Sequence, residues 1–219
     1  MNTTTPLRTK PLLRGVSHQI AAFVAAPASL VLVATARGPV AQVGAAVYGV
    51  SLFSLFLVST IFHRPTWSPG VRSWIGRLDN SAVFLFIAGT YTPICQLLGG
   101  SEGRALLSVA WTGAILGIVL TLAWPNAPKP LMAGIYVLLG WVFAPALAGL
   151  RIAMGGEGVL LLILGGVAYT TGALVYALRR PDPLPRVFGY HEIFHLLVIV
   201  GAVCHFHVVR SAVSRLGVP

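Results

Sequence analysis

Seven apolar stretches, each long enough to cross a lipid bilayer, dominate this chain of 219 residues. A helix needs about 20 mostly apolar residues to cross a hydrocarbon core of roughly 30 Å, so seven crossings would occupy about 140 positions. The sequence therefore predicts an all-α integral membrane protein, folded as a seven-transmembrane helical bundle. The predicted spans, each bounded by proline, glycine or charged residues, are 18–36, 40–62, 80–98, 105–124, 131–149, 158–178 and 190–209.

The composition leaves little material for a soluble domain. Only 9% of the residues are charged, against about 25% in an ordinary soluble domain. We expect a short cytoplasmic segment at 1–17, a transmembrane domain at 18–210 and a short tail at 211–219. No cleaved leader is expected, because the residues before the first apolar stretch are polar and basic. The segment 64–79, rich in proline, tryptophan and arginine, is interpreted as an interfacial loop.

The distribution of basic residues predicts the orientation. The net charge of +10 is dispersed among short loops rather than gathered into a patch, which argues against a nucleic-acid partner. Basic residues favour the cytoplasm, so the excess on one side places the N-terminus inside and the C-terminus outside a cell membrane. The richer side carries Arg8, Lys10, Arg14, Arg64, Arg72, Arg77, Lys129, Arg179, Arg180 and Arg186, and the other carries Arg37, Arg104, Arg151, Arg210 and Arg215.

Four ionisable side chains lie at the ends of predicted spans, where burial in the membrane is costly without a partner. His63 ends the second span, Asp79 opens the third, and His191 and His195 open the seventh. The end of an even-numbered span and the start of an odd-numbered span face the same side. These residues are therefore predicted to meet in the cytoplasmic leaflet.

The histidines have the spacing of a metal site. His191 and His195 stand four positions apart, so both imidazoles can reach one ion from one helix face. Together with His63 they would give Zn²⁺ three protein ligands and leave a fourth position for water, the arrangement of a catalytic site. The alternative is that His191 and His195 are only a polar helix face.

Asp79 and Ser59 are the candidate catalytic residues. Zinc lowers the pKa of bound water to about 7, and Asp79 could take the proton of that water as a general base. Ser59 lies about 6 Å deeper than His63 on the same helix and could orient the water or donate to a developing oxyanion.

The remaining histidines and the cysteines are given structural roles. His205 lies about 21 Å beyond His191 along the seventh span, so we expect it and His207 to be outside the site. His18 opens the first span and is expected to make a structural hydrogen bond. Cys95 and Cys204 lie in apolar stretches and are interpreted as packing residues.

Three motifs in this order resemble those of the hemolysin III family, the bacterial branch of the progestin and adiponectin receptor group, which is related to alkaline ceramidases. Ser59 to His63 resembles the SxxxH motif of the family, Leu78-Asp79-Asn80 its Asp motif, and His191 to His195 its HxxxH motif. The stretch Gly89-Thr90-Tyr91-Thr92-Pro93 is also similar.

The resemblance implies a seven-helix bundle with an internal N-terminus and with zinc held by His63, His191 and His195. It also implies that Asp79 and Ser59 surround the water. One departure concerns the first span, where members often carry an acidic residue and an asparagine before the histidine. Here Pro11-Leu12-Leu13-Arg14 occupies that stretch.

The leading functional hypothesis is a zinc-dependent hydrolase that cleaves an amide or ester of a membrane lipid, as ceramidases do, and so contributes to membrane homeostasis. The alternatives are a zinc-containing receptor or regulator without catalysis, a cytolysin, and a transporter. An intramembrane metalloprotease is a further alternative, because His191-Glu192-xx-His195 matches HExxH, whose glutamate is the general base.

Overall fold

A computed structural model describes residues 10–216, and the described residues form helices joined by short turns, with one isolated β-bridge between Leu184 and Phe188. Arg8, the remainder of 1–9 and the end of the predicted tail at 217–219 lie outside the described residues. The α-helices are α1 (Val16–Thr35), α2 (Pro39–His63), α3 (Pro69–Leu98), α4 (Gly100–Ala123), α5 (Lys129–Gly140), α6 (Leu147–Leu178) and α7 (Tyr190–Leu216).

Six helical segments of the described chain are long and apolar enough to cross a membrane, with α5 and α6 counted together as Lys129–Leu178. Large apolar side chains such as Phe23, Leu30 and Ile152 expose most of their surface, which suits contact with lipid rather than with water. The prediction of a helical membrane protein is confirmed.

The start of α3 differs from the prediction of an interfacial loop over 64–79. The loop ends at Ser68, and α3 begins at Pro69. Proline suits the first helical position, since its fixed φ is already helical and its missing N–H would have no partner there. No further proline follows before Asp79, so the helix continues. Asp79 therefore lies about three turns inside α3 rather than at its start.

The helical path from α5 to the end of α6 is broken twice. A 3₁₀ helix at Ala144–Ala146, which contains Pro145, separates the two helices, and Gly155 interrupts α6 with φ 80° and ψ 172°. Arg215 near the end of α7 donates to the carbonyl of Ala153 at 2.9 Å, whereas Lys129 lies 5.2 Å from the ring centre of Tyr176 near the end of α6. The chain therefore runs the length of the bundle after Lys129 and turns back at Gly155.

The core brings the first and last helices, α1 and α7, together. Buried side chains of α1, α2, α3 and α7 form one cluster that includes Tyr48, Phe56 and Phe86. Tyr169 of α6 packs against the same cluster. A Cβ added to Gly201 of α7 would lie only 2.6 Å from its ring, so the small residue permits this close approach. This packing places the end of α2 beside the start of α7.

Candidate metal centre

Three buried imidazoles meet where α2 ends and α7 begins. His63 is the last residue of α2, and His191 and His195 occupy the first turns of α7. Their ligand nitrogens all lie within 4.8 Å of one another, and Nε2 of His63 is 3.2 Å from Nε2 of His191. Two nitrogens bound tetrahedrally to one zinc ion at about 2.0–2.1 Å would be about 3.3 Å apart. The three histidines could therefore hold one metal ion.

Local hydrogen bonds fix the start of α7 and with it two of the three imidazoles. The backbone N–H of Gly189 donates to Oε2 of Glu192 at 2.8 Å, and that of Tyr190 donates to Oδ1 of Asp182 at 3.1 Å. These bonds satisfy donors that the first turn of a helix leaves without intrahelical partners. The four-residue spacing then directs both imidazoles toward the end of α2.

Asp79 faces the same point from α3. Its Oδ2 lies 3.7 Å from Nε2 of His63, and its side chain keeps 19% of its surface exposed, on the wall of an internal cavity. This distance is too long for a direct hydrogen bond, and it leaves room for a bridging group. The structure therefore brings Asp79 to the three histidines without making it a fourth contact.

Ser59 and His18 form a layer behind the three candidate ligands. The His18 ring stacks on the His195 ring with a centroid distance of 3.8 Å and an interplanar angle of 8°. Its Nε2 lies 3.3 Å from the carbonyl oxygen of His195, and its Nδ1 lies 2.8 Å from Oγ of Ser59. Because a carbonyl only accepts, Nε2 carries the proton, and the Ser59 hydroxyl donates to Nδ1. His18 makes the hydrogen bond that the sequence predicted, and in addition it supports His195.

Glu192 is held by the protein on both of its oxygens. Oε1 accepts from Nε of Arg14 at 2.6 Å, and Oε2 accepts from the backbone of Gly189. The carboxylate of the HExxH match is thus engaged in a structural ion pair. Sequence reasoning did not find this pair, since 178 residues separate Arg14 from Glu192.

Residues 10–15, which we call the N-terminal strap, lie against the metal centre. Gly15 has a φ of 79°, and a Cβ at this position would lie 2.7 Å from Cβ of His63. The strap is held by hydrogen bonds from Lys10 Nζ to the carbonyl of Arg64 (2.7 Å), from the Leu12 N–H to that of Arg186 (3.0 Å) and from the Leu13 N–H to that of Val187 (3.2 Å).

A cavity of about 250 Å³ begins at the centre and runs through the bundle. Ser59, Asp79 and the three histidines line one part, and His205 lies on the wall farther along α7. The intervening lining is mostly apolar and includes Leu55, Val83, Phe86, Met132 and Val198. As predicted, His205 lies apart from the metal centre. Its Nε2 donates to the carbonyl of Leu162 at 3.1 Å. His207 is exposed.

Comparison with known proteins gives relatives along almost the whole chain. The profile of the family described as Haemolysin-III related matches residues 7–206. Hemolysin-3 of Bacillus cereus is 35% identical over 199 residues, which are 89% of this chain and 88% of that protein. The Hemolysin-3 homolog of Bacillus subtilis (strain 168) is 30% identical over 205 residues, 89% of this chain and 90% of that protein. The human monocyte to macrophage differentiation factor is 26% identical over 179 residues, 80% of this chain and 72% of that protein.

Proposed function

We propose that this chain, which belongs to the haemolysin-III related family, is a zinc-dependent membrane enzyme that hydrolyses an amide or ester bond of a membrane lipid. Such an activity would contribute to membrane homeostasis. The observation that carries the proposal is the convergence of three histidine nitrogens within 4.8 Å of one another, with Asp79 3.7 Å from one of them, on the wall of an apolar cavity.

The choice of zinc is supported by the donor set. His63, His191 and His195 supply three imidazole nitrogens, ligands that suit zinc, and three protein ligands are typical of its catalytic sites. Bound zinc would supply a Lewis acid and would lower the pKa of a coordinated water to about 7.

In the proposed reaction Asp79 is the general base and acid. Its carboxylate takes a proton from the attacking water as the water oxygen bonds to the carbonyl carbon of the lipid. When the C–N or C–O bond breaks, Asp79 returns the proton to the leaving amine or alcohol. With its proton directed to His18, Ser59 would orient the water through its free lone pairs. Donation to a developing oxyanion, the other role expected from sequence, would require Ser59 to release the bond to His18.

The lipid substrate is supported by the shape of the cavity. From His191 to His205 the helix rises about 21 Å, and the wall between them is mostly apolar. An acyl chain would bury its methylene groups there at a gain of about 0.8 kcal/mol each. The reacting carbonyl would then lie beside Asp79.

The second candidate is a zinc-containing receptor or regulator without catalysis. Three histidines with Asp79 3.7 Å from one of them would hold a bound metal equally well without turnover. A cytolysin is a third candidate, which rests only on the name of the Bacillus cereus relative.

The test is to quantify metal and lipid cleavage together. The natural protein, the His191→Ala/His195→Ala double variant, Asp79→Asn and the control His207→Ala would be purified and offered a panel of labelled lipid amides and esters. We expect one zinc ion per chain in all but the double variant, and cleavage only by the natural protein and the control. Bound zinc without any cleavage would favour the regulator, and absence of zinc would overturn the metal site.

We further propose seven crossings of the cell membrane, with the N-terminus in the cytoplasm and the transmembrane domain at 18–210. As one straight helix, Lys129–Leu178 would be about 75 Å long, more than twice the thickness of the hydrocarbon core. The turn at Gly155 supports two crossings within it. The excess of basic residues on one side supports the orientation.

A further inference from the structure

A lysine lies on the wall of the cavity close to the metal centre. Lys129, the first residue of α5, lines the cavity together with Asp79 and Tyr176. Its Nζ lies 5.2 Å from the centre of the Tyr176 ring, and that ring centre lies 5.6 Å from the centre of the His191 ring. Only one aromatic ring therefore separates the ammonium group from a metal ligand.

The charge of Lys129 has no carboxylate partner in the part of the chain that the structure describes. Within residues 10–216 the ion pair between a basic side chain and a carboxylate is Arg14 with Glu192. Lys129 is exposed at the edge of the cavity, where Asp79 is the carboxylate on the same lining. A cation in this position attracts an anion.

The Tyr176 ring holds the ammonium group of Lys129 in this position. The face of an aromatic ring attracts a cation within about 6 Å, and Tyr176 thereby holds the lysine beside the cavity. Topology alone explains a basic residue at a membrane surface, but it does not explain one placed on the cavity wall within one ring of the histidines.

We propose that Lys129 binds an anionic group of the substrate, so that the preferred lipids carry a carboxylate or phosphate close to the scissile bond. This inference rests on the proposed hydrolase function and narrows it. With the acyl chain in the apolar cavity and the carbonyl beside Asp79, the anionic group lies on the leaving side of the bond and contacts Nζ of Lys129. Neutral lipid amides fit the same cavity without that contact.

The test uses pairs of lipids that differ in charge, of which the first pair is also matched in size. An N-acylglycine would be compared with its neutral glycinamide, and an N-acylaminoethyl phosphate with its neutral alcohol, on the natural protein, Lys129→Met, Lys129→Arg and Arg186→Met. Arg186 is an exposed residue outside the cavity lining, so its replacement controls for the loss of one surface charge. Both kcat/KM and the binding of each lipid by an Asp79→Asn background would be measured, since the binding assay does not depend on turnover.

We expect the natural protein to prefer at least one anionic lipid by about tenfold, the contribution of a hydrogen bond to a charged group. The preference should disappear in Lys129→Met and persist in Lys129→Arg and Arg186→Met. The pair that shows the preference identifies carboxylate or phosphate. Equal binding of charged and neutral lipids, or a preference that survives Lys129→Met, would overturn the inference. Selective binding without cleavage by the natural protein would support the role of Lys129 and count against hydrolysis.

Discussion

The hydroxyl of Ser59 donates to His18, and the His18 imidazole lies flat on that of His195. Ser59→Ala would leave Nδ1 of His18 buried without its donor and would loosen the ring that supports His195. Since groups behind metal ligands typically contribute 10–100-fold to affinity, we expect zinc to bind about tenfold more weakly. Competition with a zinc chelator measures the change. Ser214→Ala, which alters an exposed hydroxyl bonded locally to Ser211, is the control, and an unchanged affinity in Ser59→Ala would contradict the supporting role.

Glu192 allows the protease and hydrolase hypotheses to be separated. Glu192→Gln keeps an acceptor for the Gly189 N–H but removes the charge that faces Arg14. Because the two side chains expose only 3% and 21% of their surface, we expect a loss of about 1–3 kcal/mol in the free energy of unfolding. Thermal unfolding in detergent measures the loss. Lipid cleavage should persist in protein that remains folded, whereas an HExxH protease would lose its general base.

The chemistry-bearing residues of the site could be predicted from the sequence, but their contacts could not. Positions at the ends of spans and a four-residue spacing are local sequence patterns. They were therefore sufficient to predict that His63, His191 and His195 lie in one region. The stacking of His18 depends on how α1 packs against α7. Sequence gave only one signal for that contact, a histidine at the start of the first span.

Among the elements, the N-terminal strap offers a test with a matched control. Gly15 and Gly38 both have a positive φ, at 79° and 82°, but a Cβ would meet His63 only at Gly15 and nothing within 4 Å at Gly38. Alanine costs about 1–2 kcal/mol in the left-handed conformation of Gly15, with ψ 0°, and about 1–3 kcal/mol at Gly38, whose ψ of 156° lies in a region essentially restricted to glycine. We expect both variants to lose stability, and only Gly15→Ala to weaken zinc binding, because there His63 must shift.

Calorimetry and zinc titration on the two alanine variants separate these effects. Gly38→Ala should lose stability and keep its zinc affinity. Equal zinc affinities in the two variants would mean that the strap does not position His63.

The helix boundaries show where local patterns are insufficient. The interfacial reading of 64–79 relied on tryptophan and arginine, yet both residues are compatible with a helix once Pro69 has started it. Inside the predicted fifth span, a 3₁₀ helix surrounds Pro145. Composition indicates the environment of a segment better than it indicates the backbone conformation.

For the whole molecule, the turn at Gly155 is the basis for proposing seven crossings rather than six. In a Cys95→Ala/Cys204→Ala background, Glu157→Cys would lie beyond the turn and Arg180→Cys in the loop before α7. We expect a membrane-impermeant maleimide to label intact cells at position 157 and to label position 180 only after permeabilisation. If position 157 were labelled only after permeabilisation, or not at all, the seven-crossing orientation would be wrong.

The metal centre joins α2 to α7, and 128 residues separate His63 from His191. Because chains emerge from the ribosome N-terminus first, His63 enters the membrane long before the helix that carries the other two ligands. A nascent chain that stops before α7 holds one of the three histidines. A metal ion that needs all three histidines would therefore bind only at the end of biosynthesis, so truncated copies could not acquire it.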